Sequence, residues 1–221
     1  MKTLLFFCLT VLGAFQAIPS FGQEPEDRKY YPEYSNDPCY KGFHLGLYGG
    51  AWIPGGQLAK VGRHPYAGVQ IGYGSRKLIL SLSIAARFLK ARHPFTIQKD
   101  DSLYNSRHYS GGYFGLDGSY SLFKKGRHQW DAEAGIAVET MQGLSIKPPD
   151  DNDKITKTLV SPNFNIGTGY KFWLKDIYIG LDLKYNFLFF NNKNATDFKG
   201  NVITVGLVFG GIAVQHKTAN E

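Results

Sequence analysis

From Phe43 onward the chain alternates between apolar and polar positions. In "FHLGLYGGAW" (43–52), Phe43, Leu45, Leu47 and Ala51 fall on one side of an extended backbone and His44, Gly46, Tyr48 and Gly50 on the other. Successive strand side chains point to opposite faces, so this pattern predicts a strand with one apolar face. Seven more segments repeat it: 66–74, 78–88, 112–123, 130–139, 163–173, 178–190 and 202–211. In 78–88, Leu78, Leu80, Leu82, Ile84 and Phe88 oppose Ser81, Ser83 and Arg87; in 163–173, Phe164, Ile166, Tyr170 and Phe172 oppose Asn163, Asn165, Gly167, Gly169 and Lys171. One such segment is a weak signal, whereas eight in succession predict an all-β chain.

The connectors follow a rhythm of their own. Links after the second, fourth and sixth segments are short: "SRK", "KKGRHQ" and "LKD". Those around 54–64, 90–109, 141–160 and 191–201 are longer and rich in Pro, Asp, Asn and His. Strict alternation of short and long is what an up-and-down meander with two different ends produces.

Alternation alone allows two opposite barrels. In a lipocalin-like carrier the apolar face lines a cavity; in a membrane barrel it meets lipid. Volume decides between them. The interior of an eight-stranded barrel is just wide enough for side chains to fill, and Phe, Leu, Ile and Tyr at nearly every inward position would overfill it. The opposite face is rich in Gly (46, 50, 72, 115, 135, 167, 169, 180, 206), which leaves room for Tyr48, Arg87, Lys171 and Lys184. Segments of about nine to eleven residues also suit a tilted crossing of a bilayer. Trp130, Phe172, Trp173, Phe187 and Phe189 gather near segment ends, where interfacial aromatic girdles are expected. The fold class is therefore an eight-stranded antiparallel up-and-down transmembrane β-barrel over residues 43–212, with a polar tail at 213–221.

That choice turns the inward face into a polar lumen. It collects Arg87, Lys171 and Lys184 with Asp117, Asp131, Glu133, Glu139 and Asp182. "YIGLDLKYNFLFF" (178–190) is the clearest case: Asp182 and Lys184 share one face while Ile179, Leu181, Leu183, Tyr185, Phe187 and Phe189 take the other. Charges removed from water need partners, so these eight residues are expected to form a structural network that fills the barrel. No catalytic, cofactor or metal site is expected. "DDNDK" (150–154) lacks the spaced carboxylates and Gly of a calcium loop.

The N-terminus changes the compartment. Lys2, an apolar run from Leu4 to Ile18, and Ser20-Phe21-Gly22 form a secretory signal peptide, 1–22, removed before Gln23. Residues 23–42, polar and Pro-punctuated, are expected to be a flexible periplasmic segment. Cleavage leaves Cys39 as the single thiol, too few for a disulfide framework. The whole chain has 25 Lys and Arg against 18 Asp and Glu. An exported protein without a basic-aromatic stripe is not expected to bind nucleic acid. The counterpart expected is anionic headgroups or lipopolysaccharide phosphates, facing turn residues such as Arg76, Lys77, Lys124, Lys125, Arg127 and Lys175.

Signal peptide, eight alternating segments and connector rhythm together resemble the small outer-membrane β-barrel family of Gram-negative bacteria, the porin-like or opacity-type barrel domain, across essentially everything from Phe43. The resemblance implies an outer-membrane location, insertion by the barrel-assembly machinery, a monomer, short turns toward the periplasm and long loops outward. Many relatives end on an aromatic residue, whereas Phe209 is followed here by twelve more residues. Three other functions fit the same pattern: a lipid-A-modifying barrel enzyme, for which His93, His108, Ser106 and Ser110 are the candidate rim residues; a secreted lipocalin-like carrier; and an accessory part of a secretion or transfer machine.

Overall fold

The computed structural model describes residues 41–99, 101–146, 154–191 and 198–214. Residues 1–22, expected to be a signal peptide, residues 23–40 with Cys39, most of the "DDNDK" run and the tail beyond 214 lie outside the described residues. Eight strands follow one another: β1 (Gly42–Pro54), β2 (His64–Gly74), β3 (Leu78–Lys99), β4 (Ser102–Lys125), β5 (His128–Ile146), β6 (Lys154–Leu174), β7 (Ile177–Phe190) and β8 (Phe198–Val214). Each pairs antiparallel with the next, and β1 closes on β8 from Gly42–Val214 to Pro54–Val202. Closure leaves no unpaired edge through the common height of the barrel.

The polarity is inside out. Leu80, Leu116, Ile166 and Leu207 are all more than half exposed on the outer surface, whereas Arg87, Asp131, Glu139 and Lys171 are buried inside. A water-soluble chain does not expose so continuous an apolar belt. It is the distribution of a transmembrane barrel, and the opposite of a lipocalin-like carrier.

Three features differ from the sequence expectation. First, the strands are longer than nine to eleven residues: β3 to β6 run 22, 24, 19 and 21 residues. Much of the supposed loops 90–109 and 141–160 is strand that continues past the apolar belt. β3 and β4 pair as far as Lys99–Ser102, with a bulge between Lys90 and Phe95. Outside lipid a strand no longer needs apolar alternation, so the hairpin reads as a polar loop.

Second, the β1–β2 connection folds inward. A 3₁₀ helix, Gly56–Lys60, places Leu58, followed by Val61, in an apolar cluster with Trp52, Phe95, Ile97, Met141, Phe190, Phe198 and Val202. Both Leu58 and Val61 are completely buried, each worth roughly 1.5–3 kcal/mol of transfer free energy. Third, Trp173 is buried in the interior rather than in an outer girdle, packed with Ile79, Tyr178, Val208 and Ile212. The lumen is thus layered: an apolar cluster at each end and a polar zone between them.

At the end bearing both strand termini, the turns are Ser75–Lys77, Gly126–Arg127 and Lys175–Asp176. Gly126 and Lys175 open their two-residue turns with φ of 60°, a left-handed conformation that costs a non-glycine residue. Arg76 spans this end: Nη2 donates to the Lys175 carbonyl at 2.5 Å, and the guanidinium stacks 4.5 Å from the Trp173 ring.

Candidate functional site

Strand register explains how a narrow barrel holds so many long side chains. Tyr48 lies directly across from Gly68, Arg87 from Gly111, Lys171 from Gly180 and Lys184 from Gly167. A methyl group at Gly68 would meet the Tyr48 ring at 2.5 Å, and one at Gly111 would meet Arg87 Nε at 2.7 Å. Each large inward residue occupies space that its neighbour across the ladder gives up.

All eight charged residues singled out above point into the lumen, in three tiers. In the lowest, Lys171 Nζ lies 2.6 Å from Asp131 Oδ2 and donates to Ser119 Oγ at 2.9 Å. Gln129 Nε2 donates to Asp131 Oδ1 at 2.7 Å, and Gln129 Oε1 accepts from Trp173 Nε1 at 2.9 Å, tying the charge to the apolar cluster below. In the middle tier Lys184 Nζ sits 3.4 Å from both Asp117 Oδ1 and Glu133 Oε2, reaching from β7 to β4 and β5. Tyr113 donates to Asp117 at 3.0 Å and accepts from Asn165.

The upper tier centres on Glu139. Arg87 Nη2 approaches Oε1 at 2.5 Å, Trp52 Nε1 donates to the same oxygen at 3.2 Å, and Asn163 Nδ2 donates to Oε2 at 2.7 Å. The Arg87 guanidinium also lies 4.6 Å from the Trp52 ring. Asp182 alone of the five acids has no ion pair among the described residues, and its Oδ1 accepts no hydrogen bond. It lines, with Tyr48, Tyr66, Tyr113 and Lys184, a cavity of about 50 Å³. That space suits a few water molecules.

Several partners were not singled out in the sequence. Asn163 and Asn165 fall on the polar face, and alternation could have nominated them, and Ser119, as partners. Trp52 and Tyr178 fall on the same alternating face as Tyr48 and Asp182, yet an aromatic residue near a segment end does not announce a polar partner; Tyr178 bonds His44 Nε2 at 2.8 Å and accepts from Gln70 at 3.2 Å.

Among the described residues, neither Ser106 nor Ser110 bonds the imidazole of His93 or His108. Ser106 is buried, and its single hydroxyl proton is shared between the backbone carbonyls of His108 and Leu144. Ser110 donates to Gln142 at 3.4 Å. None of the described residues forms a cluster of three or more His, Cys, Asp or Glu able to hold a metal.

Among solved structures, the fold is similar to Neisserial surface protein A at 11% sequence identity and a TM-score of 0.59, covering 78% of this chain and 97% of that one. It is also similar to a major outer membrane protein from Thermus thermophilus, at 10% identity and a TM-score of 0.53, covering 77% and 98%. No protein-family model matches the chain, and no curated protein sequence matches it. At such identities the likeness is one of fold, and that fold is the small outer-membrane β-barrel.

Proposed function

We propose that this chain is an integral outer-membrane protein without catalytic activity. Its lumen is closed to solutes, its chain termini face the periplasm, and its projecting hairpins supply whatever binding it carries out. The observation that carries this reading is the inverted polarity: an exposed apolar belt around a buried layer of ion pairs. Closure of the lumen is supported by the two apolar clusters that flank the polar tiers and by the small volume left between them. The commitment of Ser106 to backbone carbonyls favours a structural over a catalytic rim.

Folding into detergent micelles tests this directly. The barrel is expected to migrate faster on gels before boiling than after, and to leave planar bilayers at baseline conductance. Protease applied to whole cells is expected to cut within 90–109 or 141–160. A chain that stays monomeric and folded in buffer without detergent refutes the reading.

A further inference from the structure

The wall between β2 and β3 closes only part of the way up. Their ladder runs from Gly74–Ile79 to Ala67–Ala86 and stops, although β3 continues to Lys99. Pro65, just above the last pair, lacks the N–H that a ladder needs. Among the described residues the two chains meet again where Arg92 N–H donates to the Val61 carbonyl at 2.9 Å. Arg63 and Lys90, on either side of this interval, line a depression of about 750 Å³ that extends over β4, β5 and β6, within the roughly 300–1,000 Å³ range of ligand clefts.

Arg63, Lys90 and His108 line it with Ser110, Gln142 and Thr156, beside the buried His64 and the apolar carbons of Tyr109 and Leu144. No acidic side chain lines it, and none of Arg63, Lys90 and His108 has an acidic partner among the described residues. Lys90 and His108 sit directly across from each other in the β3–β4 ladder. Their height is as telling as their charge. Outward positions climbing β3 are Leu80, Leu82, Ile84 and Ala86 before Lys90; on β5 they are Ile136, Val138 and Thr140 before Gln142. The depression begins where the apolar belt ends, at headgroup level for a lipid whose chains lie against that belt.

We infer that this seam holds the phosphate-bearing headgroup of an anionic lipid in the outer leaflet. Arg63 and Lys90 take the phosphate oxygens in charge-assisted hydrogen bonds, and the acyl chains lie along the outer face of β3 and β4. The inference rests on the membrane reading above and goes beyond it by naming a site and a ligand class.

The test uses the full chain folded in neutral detergent, titrated with phosphatidic acid, with diacylglycerol of the same chain length, and with inorganic pyrophosphate, and read by native mass spectrometry. Phosphatidic acid is expected to bind at least about tenfold tighter than either comparator, and R63E/K90E to lose about tenfold per cation. Lys41→Glu, an exposed residue just ahead of β1 at the opposite end, is expected to bind like the parent. Lys90→Gln gives a milder second variant, and heat-modifiable gel migration verifies folding of each. Equal binding of phosphatidic acid and diacylglycerol overturns the site, as does undiminished binding by folded R63E/K90E. Pyrophosphate binding as tight as phosphatidic acid overturns the lipid assignment in favour of a soluble polyanion. A chain that needs no detergent fails the membrane reading itself, whereas a detergent-dependent barrel with no phosphate preference fails only this site.

Discussion

Replacing Arg87 by Met probes the upper tier of the lumen most sharply. The change keeps most of the side-chain volume and removes the charge. Glu139 then keeps only neutral donors, Trp52 and Asn163, inside a layer flanked by apolar clusters. Two unit charges about 4 Å apart attract by roughly 4 kcal/mol at an effective dielectric of about 20. Removing one member of a buried pair costs about 3–5 kcal/mol, because the survivor is left uncompensated. Loss of the cation from the Trp52 ring, 4.6 Å away, acts in the same direction and is worth up to about 2 kcal/mol when desolvated. The single variant is therefore expected to lose about 3–5 kcal/mol, whereas R87M/E139Q, which carries no stranded charge, recovers at least about 1.5 kcal/mol of it. Urea titration in lipid vesicles, followed by Trp fluorescence and by heat-modifiable migration, compares both variants with the parent. A single variant within about 0.5 kcal/mol of the parent, or a double variant no better than the single, refutes the claim that this pair is desolvated and coupled.

Two further predictions test the turn geometry and the fit across the ladder. Lys175→Gly relieves the positive φ at the start of the β6–β7 turn while leaving the Lys175 carbonyl free to accept from Arg76; it is expected to gain about 0.5–1 kcal/mol, read as a higher urea midpoint with unchanged slope. Gly111→Val drives a branched side chain into the Arg87 guanidinium, since even a Cβ there lies 2.7 Å from Nε. It is expected to cost about 1–3 kcal/mol by overpacking, and a cost no smaller in an Arg87→Met background sinks the pairing of this glycine with that arginine.

The strands and their two faces were legible because lipid on one side and a crowded lumen on the other enforce a strict two-residue period. The eight lumen charges were legible for the same reason. Their pairing was not, since whether Lys184 meets Asp117 and Glu133 rather than Asp131 depends on register and on reach across the interior. The apolar end clusters were illegible for a different reason. Ile79, Val202, Val208 and Phe190 point inward, but an apolar residue beside outward apolar neighbours blurs the period, so inward was equated with polar. Trp173 followed Phe172 into the expected girdle by the same route. The tall hairpins escaped notice because strand outside a membrane carries Lys90, Arg92, His93 and Pro94 as readily as a loop does.

The bulge between Lys90 and Phe95 has an evolutionary corollary. Across it, the residues 91–94 of β3 face the single residue 107 of β4. Arg87, Ala91, Phe95 and Ile97 keep one unbroken inward period along β3, whereas the inward side of β4 passes from Tyr109 to Ser106. The change of phase that the surplus residues demand is therefore taken up in β4, opposite the bulge. Descendants of this barrel can therefore change length at the bulge while the pairs from Lys90–His108 downward, and with them the lumen side of Arg87, stay in register.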